Sequence, residues 1–281
     1  MRVHQWSKNL LVFIPMLLAH RFSIETILQS IAAFFAMSFL ASSVYLLNDL
    51  LDLSSDRVHK TKKQRPLASG ELTISKAVML IPLLLILGLS FAIWKPALCR
   101  IVGCYLLITT LYSLAFKKVP VIDVLLLSML YMGRLLAGSM ATGIVVSEWL
   151  ASFAVFFFLS LALVKRASEL LEKYSAEFEQ NLPGRGYSKR DIPFVTTYGI
   201  SCAVVSVLVL AFYIYSMQVQ VLYRHPQYLW LICLLLHYWL GRIWLITMRG
   251  EMHSDPVYFA LKDPQSYVMA FMTAGIGMLA L

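Results

Sequence analysis

Charged residues are scarce in this chain of 281 residues. Asp, Glu, Lys and Arg together make up only 14% of it, whereas 59% is hydrophobic, and the mean hydropathy is +0.73. Because soluble domains contain about 25% charged residues, this composition excludes an ordinary soluble protein and favours a helical membrane protein. A soluble nucleic-acid-binding protein is also excluded, since the basic residues alternate with apolar runs of roughly 20 residues.

Cysteine and familiar catalytic motifs are equally scarce. The four cysteines, Cys99, Cys104, Cys202 and Cys233, lie within or at the ends of apolar runs, without a CxxC pair or His-rich neighbours. We expect them to pack as small apolar side chains rather than to bind a metal. No glycine-rich P-loop and no GxSxG motif occurs, so neither of those chemistries is indicated.

Apolar runs near membrane-spanning length recur along the chain and predict an all-α, polytopic membrane protein with about nine transmembrane helices. The predicted spans are Asn9–His20, Ile24–Leu47, Ile74–Trp94, Ala97–Phe116, Val121–Thr142, Trp149–Val164, Ile192–Met217, Tyr228–Met248 and Tyr267–Leu281. The first run is short and would have to tilt to cross. No small-residue cleavage site follows it, so we do not expect a removed signal peptide. No linker separates the runs, and residues 1–281 are therefore expected to form a single transmembrane domain.

The placement of positive charge predicts the orientation of these spans. With nine spans and a cytoplasmic N-terminus, 19 of the 24 Lys and Arg residues fall on the cytoplasmic side, four fall on the other side, and Arg134 lies within a span. Cytoplasmic loops of membrane proteins carry such an excess of Lys and Arg. We therefore expect a multi-pass protein of the inner (plasma) membrane whose N-terminus is cytoplasmic.

The segment NDLLDLSSD, residues 48–56, concentrates acids at the end of the second run. On a helix, Asp49, Asp52 and Asp56 are spaced i, i+3 and i+7, so they project from one face, and Asn48 lies at the edge of that face. Carboxylates this close repel one another unless a cation lies between them. Oxygen ligands of this kind suit Mg²⁺, which completes its coordination shell with water and substrate phosphate. A solvated helix end that pairs with nearby bases is the simpler alternative, but the adjacent Asn and the cations that follow favour a metal–phosphate site.

A cluster of cations follows these acids directly and can supply the rest of a phosphate site. The cluster consists of Arg57, Lys60, Lys62, Lys63 and Arg65. Pro66 and Gly70 mark a turn before a new helix begins near Thr73, so the cations can fold back over the acidic face. Arg65, which precedes the rigid proline, is the strongest candidate for a phosphate contact. The remaining cations also fit the excess of Lys and Arg on the cytoplasmic side.

Other predicted cytoplasmic ends carry polar residues that could converge on the same cavity. They are Lys8 and Asn9 at the first span, Tyr112 and Lys117 at the fourth, and Lys165 and Arg166 at the sixth. Anchoring at the membrane surface is an equal alternative for Lys117 and its neighbour Lys118. Glu169 follows Arg166 at i+3, which predicts an ion pair that holds the arginine in place.

Arg134 lies in the middle of a predicted span, where an unpaired cation is costly. We expect it to face the interior of the bundle or a wet cavity and to serve the function. Tyr131 and Asp123 lie on the same helix face, and the three residues are expected to form one polar stripe.

These motifs resemble those of the UbiA superfamily of intramembrane prenyltransferases. The narrower resemblance is to the decaprenyl-phosphate phosphoribosyltransferase branch, and it covers residues 2 to about 170. It is carried by RVHQWSKNLLVFIP, SVYLLNDLLDLSSDRVHKTKKQRPLASG, YSLAFKKVPVIDV, YMGRLLAGSMAT and KRASEL, and continues weakly through GEMHSDPVYFALKDP.

The resemblance implies a UbiA-like bundle and a Mg²⁺-dependent transferase of cell-envelope biosynthesis that moves 5-phosphoribose from phosphoribosyl diphosphate to a polyprenyl phosphate. It implies Asp49, Asp52 and Arg65 as catalytic residues and Asp49, Asp52 and Asp56 as Mg²⁺ ligands. The implied substrate-binding residues are Lys8, Asn9, Asn48, Arg57, Lys63, Tyr112, Lys117, Tyr131, Arg134, Lys165 and Arg166. Membrane lipids are expected around the chain, nucleic acid is not expected as a partner, and the branch implies a homo-oligomer.

One acidic motif of ordinary prenyltransferases differs in this chain, and the difference separates phosphoribosyl transfer from prenyl transfer. Those enzymes resemble this chain in the first acidic motif, but they carry a second, DxxxD, after the sixth span, where this chain reads LVKRASELLE. The alternative of a prenyltransferase that moves a polyprenyl group to an aromatic acid such as 4-hydroxybenzoate would need that second motif. A transporter would show more charges within its spans, or inverted repeats, and a purely structural membrane protein leaves the acid–base cluster unexplained.

Overall fold

The computed structural model of the protein describes residues 3–58, 62–174, 186–252 and 255–281. Within these ranges every regular element is a helix, so the predicted all-α fold class is confirmed. The α-helices are α1 (Ile14–Leu18), α2 (Ile24–Leu51), α3 (Leu53–Val58), α4 (Ile74–Ser90), α5 (Pro96–Leu114), α6 (Ile122–Thr142), α7 (Glu148–Tyr174), α8 (Ile192–Tyr215), α9 (Met217–Leu222), α10 (Trp230–Met248), α11 (Pro256–Ala260) and α12 (Pro264–Ala280). Short 3₁₀-helices are formed by Val3–Phe13, Lys62–Gln64, Phe116–Lys118, Lys189–Asp191 and Pro226–Leu229.

Six of the described helices are long and apolar enough to cross a membrane. They are α2, α5, α6, α7, α8 and α10, the last two counted with the 3₁₀-turns that precede them. α4 and α12 coincide with two further predicted spans, but each has only 17 residues. The helical membrane-protein class is thus confirmed, whereas the predicted count of about nine spans is not.

The first predicted span, Asn9–His20, differs from the expectation of a transmembrane α-helix. The chain forms a 3₁₀-helix over Val3–Phe13 and only then the short α1. A 3₁₀-helix aligns side chains at i and i+3, and here that alignment places Trp6, Asn9 and Val12 on one face. Trp6 donates a hydrogen bond to Ser42 and Asn9 donates one to Ser38, both at 2.9 Å. These contacts with α2 explain why the segment adopts the tighter helix.

The contacts within the chain divide it into two compact units. Unit 1 comprises Met1–Ala115 and Gly133–Val146, and unit 2 comprises Phe116–Met132 and Ser147–Leu281. α6 therefore contributes residues to both units. The expectation that residues 1–281 form a single domain stays a prediction.

Small side chains allow close helix packing in unit 1, as is usual for helices in membranes. The buried face of α2 includes several serines and alanines, and Ser43 donates a hydrogen bond to the carbonyl of Ile81 on α4 at 2.9 Å. A Cβ at Gly88 of α4 would lie 3.0 Å from the carbonyl oxygen of Ala36. A Cβ at Gly138 of α6 would lie 1.9 Å from the carbonyl oxygen of Val12. The two glycines thus permit backbone contacts that any larger residue would prevent.

Unit 2 is built around the packing of α7, α8 and α10, which meet at one polar junction. Ser160 of α7 donates a hydrogen bond to the carbonyl of Gly199 on α8 at 2.9 Å. The indole N–H of Trp244 on α10 donates one to Ser160 at 3.0 Å. Elsewhere in the unit, Cys202 and Cys233 are buried, as expected for packing residues.

Candidate functional site

The predicted acidic face forms where α2 gives way to α3. α2 ends at Leu51, Asp52 caps it, and α3 begins at Leu53. The helical hydrogen bonds nevertheless continue through this break, from the Asp52 N–H to Asn48 at 2.9 Å and from the Asp56 N–H to Asp52 at 2.8 Å. The expected spacing is therefore kept locally, although on two helices rather than one. Asp49 is 8% exposed and Asp56 is 2% exposed, whereas Asp52 and Asn48 are half-buried.

Arg65 lies between the two buried carboxylates. Its Nη1 is 3.1 Å from Asp49 Oδ1 and 2.5 Å from Asp56 Oδ2. The loop that carries it is folded by local backbone bonds, from the Ser69 N–H to Arg65 and from the Leu72 N–H to Pro66, each at 2.8 Å. The predicted return of this segment over the acidic face is thus observed for Arg65.

Of the other cations after Asp56, two have described side chains. Arg57 and Lys63 are exposed. Lys60 lies outside the described residues, as does the side chain of Lys62. Arg65 is thus a predicted phosphate-binding cation that is observed at the buried acids.

The oxygen atoms at this position fit a magnesium ion in kind. Two carboxylates already share one cationic nitrogen, and Asn48 and Asp52 add further oxygens next to them. Mg²⁺ commonly takes one or two protein carboxylates and fills its shell with water and phosphate oxygens. Across the ranges that the structure describes, no three His, Cys, Asp or Glu side chains already form a metal-ligand group. The set Asp49, Asp52 and Asp56 therefore stays a prediction.

Arg134 is buried within unit 1, as expected for a cation in a span. Its Nε donates a hydrogen bond to Asn9 Oδ1 at 2.9 Å, and its Nη2 donates one to the Tyr105 hydroxyl at 2.7 Å. The guanidinium also lies 5.1 Å from the centre of the Tyr105 ring. Lys8, next to Asn9, is buried as well. Two predicted site residues, Asn9 and Arg134, are thus brought together, with Tyr105 as a partner that the sequence did not single out.

Arg166 is enclosed in unit 2 and has 0% exposure. Its Nη2 lies 2.5 Å from Asp123 Oδ2, and its Nη1 forms an ion pair with Glu169. The predicted i+3 pair is therefore confirmed. The second acid, Asp123, comes from α6 and was expected to belong to a stripe with Tyr131 and Arg134.

The three residues of that predicted stripe are all buried, but their described contacts differ. Asp123 binds Arg166, and Arg134 bonds to Asn9 and Tyr105. The Tyr131 ring stacks on that of Phe158 at 5.0 Å between centres. The stripe itself stays a prediction.

Tyr187 is a further member of the Arg166 cluster and was missed by sequence reasoning. Its hydroxyl donates a hydrogen bond to Asp123 Oδ1 at 2.7 Å and accepts one from the Val121 N–H at 2.7 Å. Its ring lies under the Arg166 guanidinium, 5.5 Å away. Burial raises the pKa of the Tyr187 hydroxyl above its ordinary value, so it remains a proton donor to Asp123.

The only sequence signal for Tyr187 is the glycine before it. A Cβ at Gly186 would lie 2.3 Å from the carbonyl oxygen of Lys118. Glycine at this position therefore allows residues 186–187 to pack against the start of α6. Nothing in the local pattern identifies the tyrosine as a partner of residues more than 60 positions away.

Lys165 links the C-terminal half of α7 to the segment around α11. Its Nζ lies 3.5 Å from Asp255 Oδ2, and Asp255 Oδ1 accepts a hydrogen bond from the Val257 N–H at the start of α11. At the other end of this segment, Asp263 binds Arg242 through two hydrogen bonds of 2.7 and 2.9 Å. Burial alone would raise the pKa of Asp263, but the bonds from Arg242 and Ser266 outweigh it and hold that pKa below its ordinary value. Tyr112 and Lys117, the remaining predicted site residues, are half-buried.

Comparison with known proteins extends over most of the chain. A profile described as the UbiA prenyltransferase family matches residues 10–262. An uncharacterised protein of Sinorhizobium fredii, y4nM, is 34% identical over 100% of this chain and 55% of its own length. The nodulation protein NoeC of Azorhizobium caulinodans is 33% identical over 95% of this chain and 87% of its own. The chain thus spans about half the length of one of these relatives and most of the other.

A third relative is named for an activity, and solved structures share the fold. The decaprenyl-phosphate phosphoribosyltransferase of Corynebacterium glutamicum is 37% identical over 73% of this chain and 64% of its own length. A UbiA homologue from Archaeoglobus fulgidus, bound to GPP and Mg²⁺, aligns with a TM-score of 0.71 at 16% identity, covering 99% of this chain and 96% of its own. At that identity, the likeness establishes the fold alone.

Proposed function

Because the chain belongs to the UbiA prenyltransferase family, we propose that it transfers 5-phosphoribose from phosphoribosyl diphosphate to a polyprenyl phosphate. An oxygen of the lipid phosphate would form a bond to C1 of the ribose as the bond from C1 to the diphosphate breaks. The products would be a phosphoribosylated lipid and free diphosphate.

The observation that carries this proposal is the chemistry in the C-terminal half of α7, at Lys165 and Arg166. Aromatic prenyltransferases resemble this chain but have a second acidic motif there, whereas this chain has Lys165 and Arg166. The nearby acids, Asp123 and Glu169, are both bound by Arg166. Acids that are already bound by an arginine are poor ligands for a second Mg²⁺, and Lys165 adds a cation of the kind that contacts a phosphate group. The Corynebacterium relative, named for phosphoribosyl transfer, supports the same direction.

We assign the donor to the acidic face in unit 1. Asp49 and Asp56, with Asp52 beside them, would hold Mg²⁺, and Arg65 would contact the diphosphate. When bound there, Mg²⁺ would offset the negative charge that grows on the leaving diphosphate. Further contacts to the diphosphate or to the 5-phosphate are assigned to Asn48, Arg57 and Lys63.

The acceptor requires cations but no strong base, since a lipid phosphate is already ionised at neutral pH. We assign a contact with the lipid phosphate to Lys165, and we propose Lys8 and Arg134 as further substrate-binding residues. Arg166 is enclosed by Asp123 and Glu169, so we assign it the role of holding the C-terminal half of α7 in place. Asn9, Tyr112, Lys117 and Tyr131 are proposed as further substrate-binding residues.

The protein is an integral membrane protein, as its six long apolar helices and its family indicate. We propose that it lies in the plasma membrane with its N-terminus and its site on the cytoplasmic side, because Lys and Arg concentrate there in the predicted topology. We also propose that it forms a homo-oligomer, as the phosphoribosyltransferase branch implies.

A second candidate function is transfer of a polyprenyl group from its diphosphate to an aromatic acid such as 4-hydroxybenzoate. The family description and the GPP-bound homologue of the same fold favour it. It would use the same Mg²⁺–diphosphate site at Asp49 and Asp56. The two candidate functions differ in the donor that binds there, which is a prenyl diphosphate in this one and phosphoribosyl diphosphate in the first.

Donor binding by the purified protein tests the proposal. Phosphoribosyl diphosphate should bind in the presence of Mg²⁺, and geranyl diphosphate should bind much more weakly. Asp49→Asn should weaken donor binding by at least tenfold, because a charge-assisted contact is worth about 1.5–3 kcal/mol. Glu71→Gln removes an exposed acid of the same loop and should leave binding unchanged. Preference for geranyl diphosphate would favour the second candidate.

A further inference from the structure

The Arg65 guanidinium lies against the two acids that are proposed to hold a metal ion. One nitrogen, Nη1, contacts both Asp49 and Asp56, and both carboxylates are buried. Two buried carboxylates this close destabilise each other unless a cation neutralises part of their charge. Arg65 supplies such a cation to Asp49 and Asp56.

We propose that Arg65 competes with a divalent metal for Asp49 and Asp56 while no donor is bound, and that it moves to the diphosphate when donor and metal enter together. This proposal rests on the donor site proposed above. It predicts that one side chain opposes metal binding in the absence of donor and supports donor binding in its presence.

The charges at the site lead to this exchange. Two carboxylates and one guanidinium leave a single negative charge, whereas a divalent ion neutralises both acids. Asp49 and Asp56 together with the ion would then carry no net negative charge, so Arg65 would gain little from those two acids. An incoming diphosphate carries several negative charges and offers the displaced guanidinium a stronger partner.

The position of Arg65 allows its side chain to move while its backbone stays in place. The side chain is 26% exposed, so part of it already reaches solvent. The loop behind it is fixed, because Leu67 is buried and the backbone bonds of Ser69 and Leu72 close the turn. The exchange therefore needs a change of side-chain rotamer rather than a refolded loop.

Metal binding without donor provides the first test, with Mn²⁺ alone as the probe and its affinity measured by electron paramagnetic resonance. Arg65→Gln should bind Mn²⁺ about tenfold more tightly than the unchanged protein, because the competing charge is gone. Arg65→Lys should fall between the two. Lys76→Gln removes an exposed cation at the start of α4 and controls for the overall change in charge. With Mn²⁺ present, Arg65→Gln should bind phosphoribosyl diphosphate about tenfold more weakly.

The Asp49→Asn variant separates the exchange from the donor site on which it rests. If Asp49→Asn loses Mn²⁺ but Arg65→Gln gains no affinity, the metal site stands and the exchange is overturned. If Asp49→Asn binds Mn²⁺ as well as the unchanged protein does, both the exchange and the proposed metal site fail.

A measurement on the unchanged protein avoids any effect of substitutions on folding. Modification of Arg65 by p-hydroxyphenylglyoxal can be followed by mass spectrometry of the peptide that carries it. Mn²⁺ alone should increase the modification of Arg65, because the guanidinium leaves the carboxylates. Mn²⁺ with phosphoribosyl diphosphate should decrease it again. Modification that is unchanged or reduced by Mn²⁺ alone would overturn the exchange.

Discussion

Arg166 and Asp123 form an ion pair without exposed surface, which makes both residues sensitive to substitution. Their charges are 2.5 Å apart, and Glu169 and Tyr187 complete the cluster. Removal of one partner from a buried pair leaves the other charge without compensation and costs about 3–5 kcal/mol. Replacement of both partners by apolar residues of similar size costs far less.

Asp123→Asn is therefore expected to lower the stability of the protein by several kcal/mol, since Arg166 keeps its charge. The thermal unfolding midpoint of the detergent-solubilised protein measures this loss. The double variant Asp123→Leu/Arg166→Met should recover a large part of it. Tyr187→Phe, which removes one neutral hydroxyl, should lower the midpoint less than Asp123→Asn. Equal midpoints for Asp123→Asn and the unchanged protein would contradict the described pair.

For individual residues, sequence reasoning identified pairs that are close together along the chain and missed pairs that are far apart along it. The Arg166–Glu169 pair follows from i+3 spacing, and Arg65 follows from its place beside a proline turn. Asp123 and Arg166 are both noticeable as charges near spans, yet 43 positions separate them, and no helical periodicity relates them. The hydrogen bond from Arg134 to Asn9 joins residues 125 positions apart. Such pairs are set by how the helices pack.

The junction of α7, α8 and α10 shows how a single small residue determines helix packing. A Cβ at Gly199 would lie 2.1 Å from the Trp244 ring and 3.0 Å from Leu163 Cβ. Trp244 is buried and is held by its bond to Ser160, so a shift of its ring would strain or break that bond. Overpacking of this kind costs typically 1–3 kcal/mol.

Gly199→Ala should lower the thermal midpoint, because Trp244 or α10 has to shift. Gly241→Ala is the matched control, since a Cβ at Gly241 of α10 meets nothing within 4 Å. That variant should be neutral or slightly stabilising, because alanine favours a helix by up to about 1 kcal/mol over glycine. A Gly199→Ala protein as stable as Gly241→Ala would contradict the described junction.

The contact between Lys165 and Asp255 joins α7 to α11, and two substitutions of Asp255 separate its roles. Asp255→Asn retains a side chain that can cap α11 but loses the ion pair, whereas Asp255→Ala loses both. The cap contributes about 1 kcal/mol and a partly exposed ion pair less. Asp255→Ala should therefore lower the thermal midpoint, and Asp255→Asn should do so by less than half as much. The reverse order would show that the ion pair dominates.

Periodicity and hydropathy predicted most of the helices, and their errors have physical causes. Eight of the nine predicted spans coincide with α-helices, though two of these, α4 and α12, have only 17 residues. The first span became a 3₁₀-helix, because Trp6 and Asn9 bond to serines of α2 that no local pattern indicates. The break at Asp52 was missed because the helical hydrogen bonds continue across it.

Over the whole molecule, the family resemblance seen in the sequence is confirmed by the match to residues 10–262 and by structures that share the fold. Composition and spacing alone indicated a helical membrane protein with a Mg²⁺–phosphate site. They did not distinguish a ribose donor from a prenyl donor, because both carry the same diphosphate. The choice between them depends on α7, where this chain has Lys165 and Arg166 in place of a second acidic motif.

The most direct test offers the purified protein both donors and both acceptors in one mixture. The mixture contains phosphoribosyl diphosphate, a prenyl diphosphate, a polyprenyl phosphate and 4-hydroxybenzoate with Mg²⁺, and mass spectrometry identifies the product. The proposed function predicts a phosphoribosylated lipid, whose formation stops when Mg²⁺ is chelated or Asp49 is replaced by Asn. A prenylated hydroxybenzoate without any phosphoribosylated lipid would contradict it.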